Sequence, residues 1–269
     1  MSRNIGVLGC GWLGFPLARY LVGKNYEVHG TTTSPDKLEL LKNVGVNPYL
    51  VTLSASKIEG EIQVFLSQID TLVINIPPRL RGSNKESFID KMRLLLQAIK
   101  NASVSRIIFI SSTAVYGNVS GEVTEETPTM PNTQSGRQLV QAEKLFQADD
   151  SLRTTVLRFG GLMGPKRNPV NMLSGRAGLR NGNDPINLIH LEDCIHMITT
   201  ILEKGYWGEL FNGVYPHHPA KRDFYTDQAQ KLGIPAPIYL EGSNGEPGKI
   251  VLSNNFLNKL HTLNMHIGH

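Results

Sequence analysis

Residues Asn4 to Gly23 read NIGVLGCGWLGFPLARYLVG, and this stretch decides the fold. An apolar run, NIGVL, stops at Gly9. A helical run, FPLARYLV, begins after Gly14 and stops at Gly23. Between them GCGWLG places glycines at Gly9, Gly11 and Gly14. A GxGxxG carries weight only when a strand precedes it and a helix follows, and both are here. Gly9 permits the tight turn, Gly11 lets backbone approach a pyrophosphate, and Gly14 lets the helix pack close against the strand. The amides at the helix start, around Trp12 and Leu13, are then available to phosphate oxygens. The expectation is a dinucleotide site built from Gly9, Gly11, Trp12, Leu13 and Gly14, with Cys10 as a small filler. A glycine-rich turn with no ligand is the plain alternative.

Outward from this stretch the pattern repeats. YEVHGT, PYLVTL, TLVINI, RIIFIS and TTVLRF are apolar strand-like runs, separated by helical segments such as SPDKLELLKN, KESFIDKMRLLLQAIKN and GRQLVQAEKLFQ. Continuous rather than alternating apolar strands, each followed by a helix, predict a parallel sheet covered on both faces. Ser34 as N-cap and Pro35 as the first helical residue predict where the second helix starts. After Gly160 the stretch GGLMGPKRNPVNMLSGRAGLRNGNDP is crowded with Gly, Pro and Asn, as irregular binding segments are. INLIHLEDCIHMITTIL, ELFNGVY and KRDFYTDQAQKLG supply further strands and helices. The predicted architecture is α/β, a Rossmann-type doubly wound parallel sheet with a small C-terminal α/β substrate lobe. Residues 1–160 are expected to form the dinucleotide-binding core, and residues 161–269 further core elements and the lobe.

The 269 residues are 40% hydrophobic and 19% charged, enough for a substantial globular core. The net charge of +4 comes from scattered Lys and Arg, which argues against a nucleic-acid partner. No apolar run reaches membrane-spanning length. The apolar start carries Arg19, clustered glycines and no small-residue cleavage site, so it does not read as a leader. Two cysteines, Cys10 and Cys194, cannot make a disulfide framework and suit a reducing cytoplasm. The expected partner is a small molecule. Oligomeric state is not legible in the sequence.

An NAD site needs a carboxylate about 20 residues beyond the glycines. At that place stand Thr31, Thr32, Thr33 and Ser34, with Lys37 one turn on and no acid at the strand end. Hydroxyls, a cation and a fresh helix start suit a 2′-phosphate, so NADP is expected, with NAD possible. Thr31, Thr33 and Ser34 join the cofactor set, as do Ile76 and Pro77 at the end of TLVINI. A second strand, IIFISSTAVYG from Ile107 to Gly117, ends in the hydroxyls Ser111, Ser112, Thr113 and Tyr116. Such hydroxyls either finish a strand or belong to a site.

With the glycine loop, SSTAVYG and the downstream ETPTMPNTQSGRQLVQAEKLF, the chain resembles the extended short-chain dehydrogenase/reductase superfamily of nucleotide-sugar epimerases and dehydratases. RFGGLMGP, HLED and FNGVY extend the resemblance over nearly the whole length. Within it the chain is similar to the YeeZ-like subgroup of atypical members, which share GWLG, SSTxVYG, TP-x-x-P and SGR. The resemblance implies an NAD(P)-dependent oxidoreductase or epimerase/dehydratase-like enzyme acting on a small polar metabolite or nucleotide sugar. It implies that Ser112 hydrogen-bonds the reacting oxygen, and it puts Ser111 and Ser135 in the cofactor set.

The superfamily also carries a catalytic Tyr-x-x-x-Lys pair. Counted back from Glu143, its positions fall here on Ser135 and Leu139. A serine hydroxyl is a poor base at neutral pH, and leucine cannot hold ribose or tune a tyrosine. General acid–base help is worth about 10²–10⁴-fold, so its loss leaves a rival reading, a non-catalytic NAD(P)-binding redox or metabolite sensor. Tyr116 is the candidate substitute proton carrier; a packed tyrosine is the alternative. Arg137 and His190 are candidates for substrate binding. Arg79, Arg81, Lys166, Arg167, Lys221 and Arg222 are candidates for receiving an anion, or surface charge. His217 and His218 are adjacent rather than at metal-ligand spacing, and no metal is expected.

Overall fold

Backbone donors and acceptors that leave water must be paired, and apolar runs such as TLVI meet that demand by joining a sheet interior. In the computed structural model, which describes residues 4–78, 86–240, 248–265 and 267, they do so in chain order. The strands are β1 (Asn4–Leu8), β2 (Glu27–Thr32), β3 (Asn47–Leu53), β4 (Ile58–Gly60), β5 (Thr71–Ile74), β6 (Arg106–Ser112), β7 (Gly121–Val123), β8 (Arg153–Phe159), β9 (Gly161–Met163), β10 (Leu188–His190), β11 (Leu210–Gly213) and β12 (Lys249–Val251). The helices are α1 (Gly14–Gly23), α2 (Asp36–Lys42), α3 (Ile62–Ser67), α4 (Phe88–Lys100), α5 (Gln134–Gln147), α6 (Leu191–Lys204), α7 (Lys221–Lys231) and α8 (Asn254–Leu257).

Eight strands form one sheet in the order β11-β8-β6-β5-β1-β2-β3-β4. The pairs β1–β2, β1–β5, β2–β3 and β5–β6 are parallel, and β4 is added antiparallel to β3. The chain thus winds outward from β1 in one direction and from β5 in the other. That reversal opens a crevice beyond the carboxyl ends of β1 and β5, where sheets of this kind bind ligands. The predicted α/β doubly wound architecture is the one observed.

Every residue of β5 is buried, as a two-faced strand requires. Phe65, Phe88, Phe109 and Phe146 are wholly buried among the helices and strands of this sheet. Two helix starts are capped by hydroxyls: Ser87 accepts from the Asp90 amide at 3.3 Å, and Thr133 from the Gly136 amide at 3.1 Å. Gln138 of α5 reaches the start of α4, its Oε1 accepting from Phe88 and Ile89 amides at 2.6 and 3.2 Å. The expected Ser34 cap is not made. Thr32 Oγ1 takes the Ser34 amide at 3.1 Å in a local hydroxyl turn, and α2 begins beyond Pro35 without a side-chain cap.

By packing the chain forms two compact units that interleave along the sequence. The first comprises Met1–Ser112, Thr133–Leu157 and Ile195–Leu210; the second comprises Thr113–Asn132, Arg158–Cys194 and Phe211–His269. The units do not follow a single division near residue 160: Thr113–Asn132 belong to the second and Ile195–Leu210 to the first. Within the second unit, β9 pairs with β10 and β7 with β12, both in parallel. Asn187 serves β12 as a strand neighbour would, donating to Lys249 O at 2.8 Å and accepting from the Val251 amide at 2.7 Å. Among the described residues no helix is long and apolar enough to cross a membrane.

Candidate functional site

The glycine loop sits where β1 ends. Gly9 has φ +102°, a left-handed conformation that favours glycine, and an added Cβ would lie 2.8 Å from Asn75 O. Gly14 has no room either, since its Cβ would lie 2.2 Å from Gly9 O. This is the close helix-to-strand approach expected of it. Gly11 differs, for a Cβ there would meet no protein atom within 4 Å. No neighbouring protein atom therefore imposes glycine at position 11, and the backbone there is open to approach. No side chain caps α1 and no acid stands in its first turn, so its amino end is suited to phosphate oxygens. Leu13 is buried and Trp12 half-buried, so Leu13 offers this edge backbone only.

Two polar side chains hold the loop. Thr31 Oγ1 accepts from the Gly9 amide at 3.0 Å, while Thr31 O accepts from the Cys10 amide at 2.9 Å. Asn75, directly after β5, donates through Nδ2 to Gly9 O at 3.1 Å, and its amide donates to Leu8 O at 3.0 Å. Sequence reasoning singled out Ile76 and Pro77 on this segment but missed Asn75, whose signal is a lone carboxamide closing an apolar strand. Ile76 is half-buried and Pro77 exposed. Cys10 is buried, and burial pushes its thiol pKa up to about 12, so it stays protonated as a filler.

The hydroxyls predicted for the cofactor divide by position. Thr31 is buried and spent on Gly9, so it shapes the loop instead of meeting a ligand directly, a correction to its expected role. Thr33 is exposed and Ser34 half-buried beside it, with Lys37 exposed on α2. Ser111 is corrected likewise. Its buried hydroxyl donates to Glu143 Oε1 at 2.5 Å, tying β6 to α5. Ser112, the next residue, is half-buried at the carboxyl end of β6. On α5, Ser135 is half-buried, Arg137 exposed and Leu139 only 4% exposed, part of the apolar face packed inward.

Tyr116 is also corrected. It is 0% exposed, its hydroxyl donating to Asn212 Oδ1 at 2.8 Å and accepting from Arg158 Nη1 at 2.9 Å. The Arg158 guanidinium also stands over its ring at 5.0 Å. Burial raises the phenol pKa, and the neighbouring guanidinium and carboxamide offset this only in part. With both hydroxyl valences used inside the second unit, Tyr116 is a packed structural tyrosine.

The second unit holds a cavity of about 370 Å³, lined in part by Met163, Arg167, Asn168, His190, Gln228 and Asn264. His190 lines this cavity, whereas Arg137 belongs to the other unit. Lys221 pairs with Asp184 at 2.9 Å and Arg222 donates to Leu240 O at 3.1 Å, so both are engaged within the protein. Arg79 and Arg81 lie outside the described residues. Among the described residues no cluster of His, Cys, Asp and Glu could hold a metal ion.

A doubly wound sheet with a glycine turn between its first strand and first helix, at the switch point, is the arrangement of dinucleotide-binding α/β proteins. More narrowly, the chain belongs to the NAD dependent epimerase/dehydratase family, whose model matches residues 5–212. It is 33% identical over 259 residues to Protein YeeZ of Escherichia coli strain K12, an alignment covering 96% of this chain and 94% of that protein. Among solved structures it is similar to MoeE5 in complex with UDP-glucuronic acid and NAD, with TM-score 0.78 and 18% identity, covering 98% and 95% of the two chains. The UDP-glucuronic acid 4-epimerase of Bacillus cereus in complex with NAD matches with TM-score 0.71 and 20% identity over 92% and 87%.

Proposed function

We propose that this chain is an NAD(P)-dependent oxidoreductase or epimerase/dehydratase-like enzyme, acting on a small polar metabolite or nucleotide sugar without the Tyr-x-x-x-Lys pair. The observation that carries the reading is the glycine turn at the switch point of the sheet, where packing requires Gly9 and Gly14 and leaves the backbone at Gly11 open. Gly9, Gly11, Gly14 and the α1 amino end would hold the pyrophosphate, with Thr31 and Asn75 fixing the loop. A bound dinucleotide supplies a hydride donor or acceptor. Ser112 would hold a substrate oxygen by hydrogen bonding at the end of β6. The nucleotide sugars and NAD held by MoeE5 support the substrate and cofactor class. Two buried, unpaired cysteines fit a reducing, cytoplasmic setting.

NADP is favoured over NAD because Thr33, Ser34 and Lys37 stand at the end of β2, where no acid is available to a 2′-hydroxyl. Fluorescence titration with NADPH and NADH tests this; equal affinity or a preference for NADH would defeat it. A second reading, a sensor without turnover, is favoured by Leu139 lying in the core and Tyr116 being sealed. Single-turnover oxidation of bound NADPH across carbonyl and nucleotide-sugar substrates separates the two: consumption supports the enzyme, and binding without any consumption supports the sensor.

A further inference from the structure

We propose that the second unit carries a surface patch that seats it on an anionic lipid bilayer, lying on the membrane without crossing it. The patch takes no part in the dinucleotide site and does not depend on that reading. It is built where two segments of the unit pair in parallel. The Ile238 amide donates to Arg176 O at 2.8 Å, the Leu179 amide to Ile238 O at 3.1 Å, and the Leu240 amide to Leu179 O at 2.8 Å. Along such an extended stretch side chains alternate between faces. Tyr239 takes the inner face, so near Gly182 that a Cβ there would lie 3.0 Å from its ring. Ile238 and Leu240 therefore take the outer face, where they are 61% and 45% exposed. A solvated face calls for polar side chains at these places, and this one has aliphatic ones. Met172 and Leu232, both exposed, come just before Ser174 and Pro235, whose hydroxyl and carbonyl join at 2.9 Å where the pairing begins.

The charge beside these side chains is of one sign. From Gly161 to Asn183 the chain has Lys166, Arg167, Arg176 and Arg180 and no acid. Arg176 and Arg180 are exposed, and among the described residues neither guanidinium has a hydrogen bond or ion pair. Asp184, the acid that follows, is held by Lys221 at 2.9 Å and by the Gly248 amide at 3.2 Å. The occupant is not another strand, because Pro235 and Pro237 have no N–H to offer along the free edge. Side chains this exposed stand proud of the surface, whereas a partner helix is received in a groove. Raised aliphatic groups beside free guanidinium groups match a layered occupant. Headgroup phosphates answer Arg176 and Arg180, and the acyl boundary beneath them answers Ile238 and Leu240.

The full chain is sedimented with vesicles of phosphatidylcholine alone, and with vesicles of phosphatidylcholine and phosphatidylglycerol in equal parts. It should bind the mixed vesicles, ignore the neutral ones, and be released as salt is raised. Arg176→Gln combined with Arg180→Gln should weaken binding by about tenfold or more. Ile238→Ser combined with Leu240→Ser should weaken it by about as much, with melting temperatures near wild type because the groups removed are exposed. Leu40→Ser, which removes an exposed apolar side chain from the first unit, should change nothing. No sedimentation with the anionic vesicles would overturn the proposal in favour of a protein occupant. Equal binding to neutral vesicles, or undiminished binding by either double variant, would overturn it as well.

Discussion

The Thr31 hydroxyl and the Gly9 amide are joined at 3.0 Å across 22 positions of sequence, so β2 holds the turn that ends β1. Thr31→Val should leave that part-buried amide unpaired, at a cost of roughly 1–3 kcal/mol, and weaken dinucleotide binding by loosening the loop. Thr31→Ser should keep both properties. Thermal melts and calorimetric titration of the two variants check this; a Val variant that binds as tightly as wild type would show the loop holds itself.

Gly11 and Gly14 should separate ligand from packing. Gly11→Val is expected to abolish dinucleotide binding while leaving the melting temperature near wild type, because no protein atom lies within 4 Å of a Cβ there. Gly14→Val collides with Gly9 O and should destabilise the fold by about 1–3 kcal/mol or more. A folded Gly11→Val protein with unchanged affinity would move the cofactor elsewhere.

Tyr116→Phe should act on stability rather than chemistry. It leaves Arg158 and Asn212 each short of a buried partner, costing about 1–3 kcal/mol in urea denaturation. Ser112→Ala is expected to do the reverse, slowing whatever NADPH oxidation is found without weakening NADPH binding. A stable but slow Tyr116→Phe enzyme would return the tyrosine to the role of proton carrier.

Glu125 gives a dependence on pH. Its Oε1 accepts from the Asn212 and Asn255 amides at 2.9 and 3.3 Å, while Oε2 is buried with no hydrogen-bond partner among the described residues. Burial raises its pKa above the ordinary 4.5, and backbone amides pull it only partly back. An acid raised in this way stabilises the fold below its unfolded pKa and gives that up as pH rises through the folded value. Glu125→Gln stays neutral and keeps the Oε1 acceptor, so its stability relative to wild type should grow as pH rises through that window. Urea denaturation at about pH 4 and about pH 7 measures the gap, and a gap that does not change with pH counts against the assignment.

The strand, glycine turn and helix at the start were legible because everything that decides them lies within one contiguous stretch. Asn75 was not read, since the lone carboxamide that closes the strand does not reveal a bond to Gly9 spanning 66 positions. Glu143 looked like a landmark on a helix, and only the fold brings Ser111 against it. The Ser34 cap gave way to a backbone turn, the Ser34 carbonyl rather than its hydroxyl taking the Lys37 amide at 3.1 Å. Tyr116 stood beside Ser112 in sequence, yet the short 3₁₀ turn from Thr113 to Tyr116 carries it into buried contact with Asn212. Periodicity reports burial of a strand or helix face; it does not report which distant group will meet a hydroxyl.

The interleaving of the two units bears on how the protein is made. The chain passes between them five times, and the first unit is not complete until Leu210 has been added. A ribosome releasing this polypeptide from its amino end therefore delivers neither unit whole until most of the message has been read. A single cut inside residues 113–210 should leave both units incomplete, and the nascent protein must hold its long-range pairings in reserve through most of synthesis.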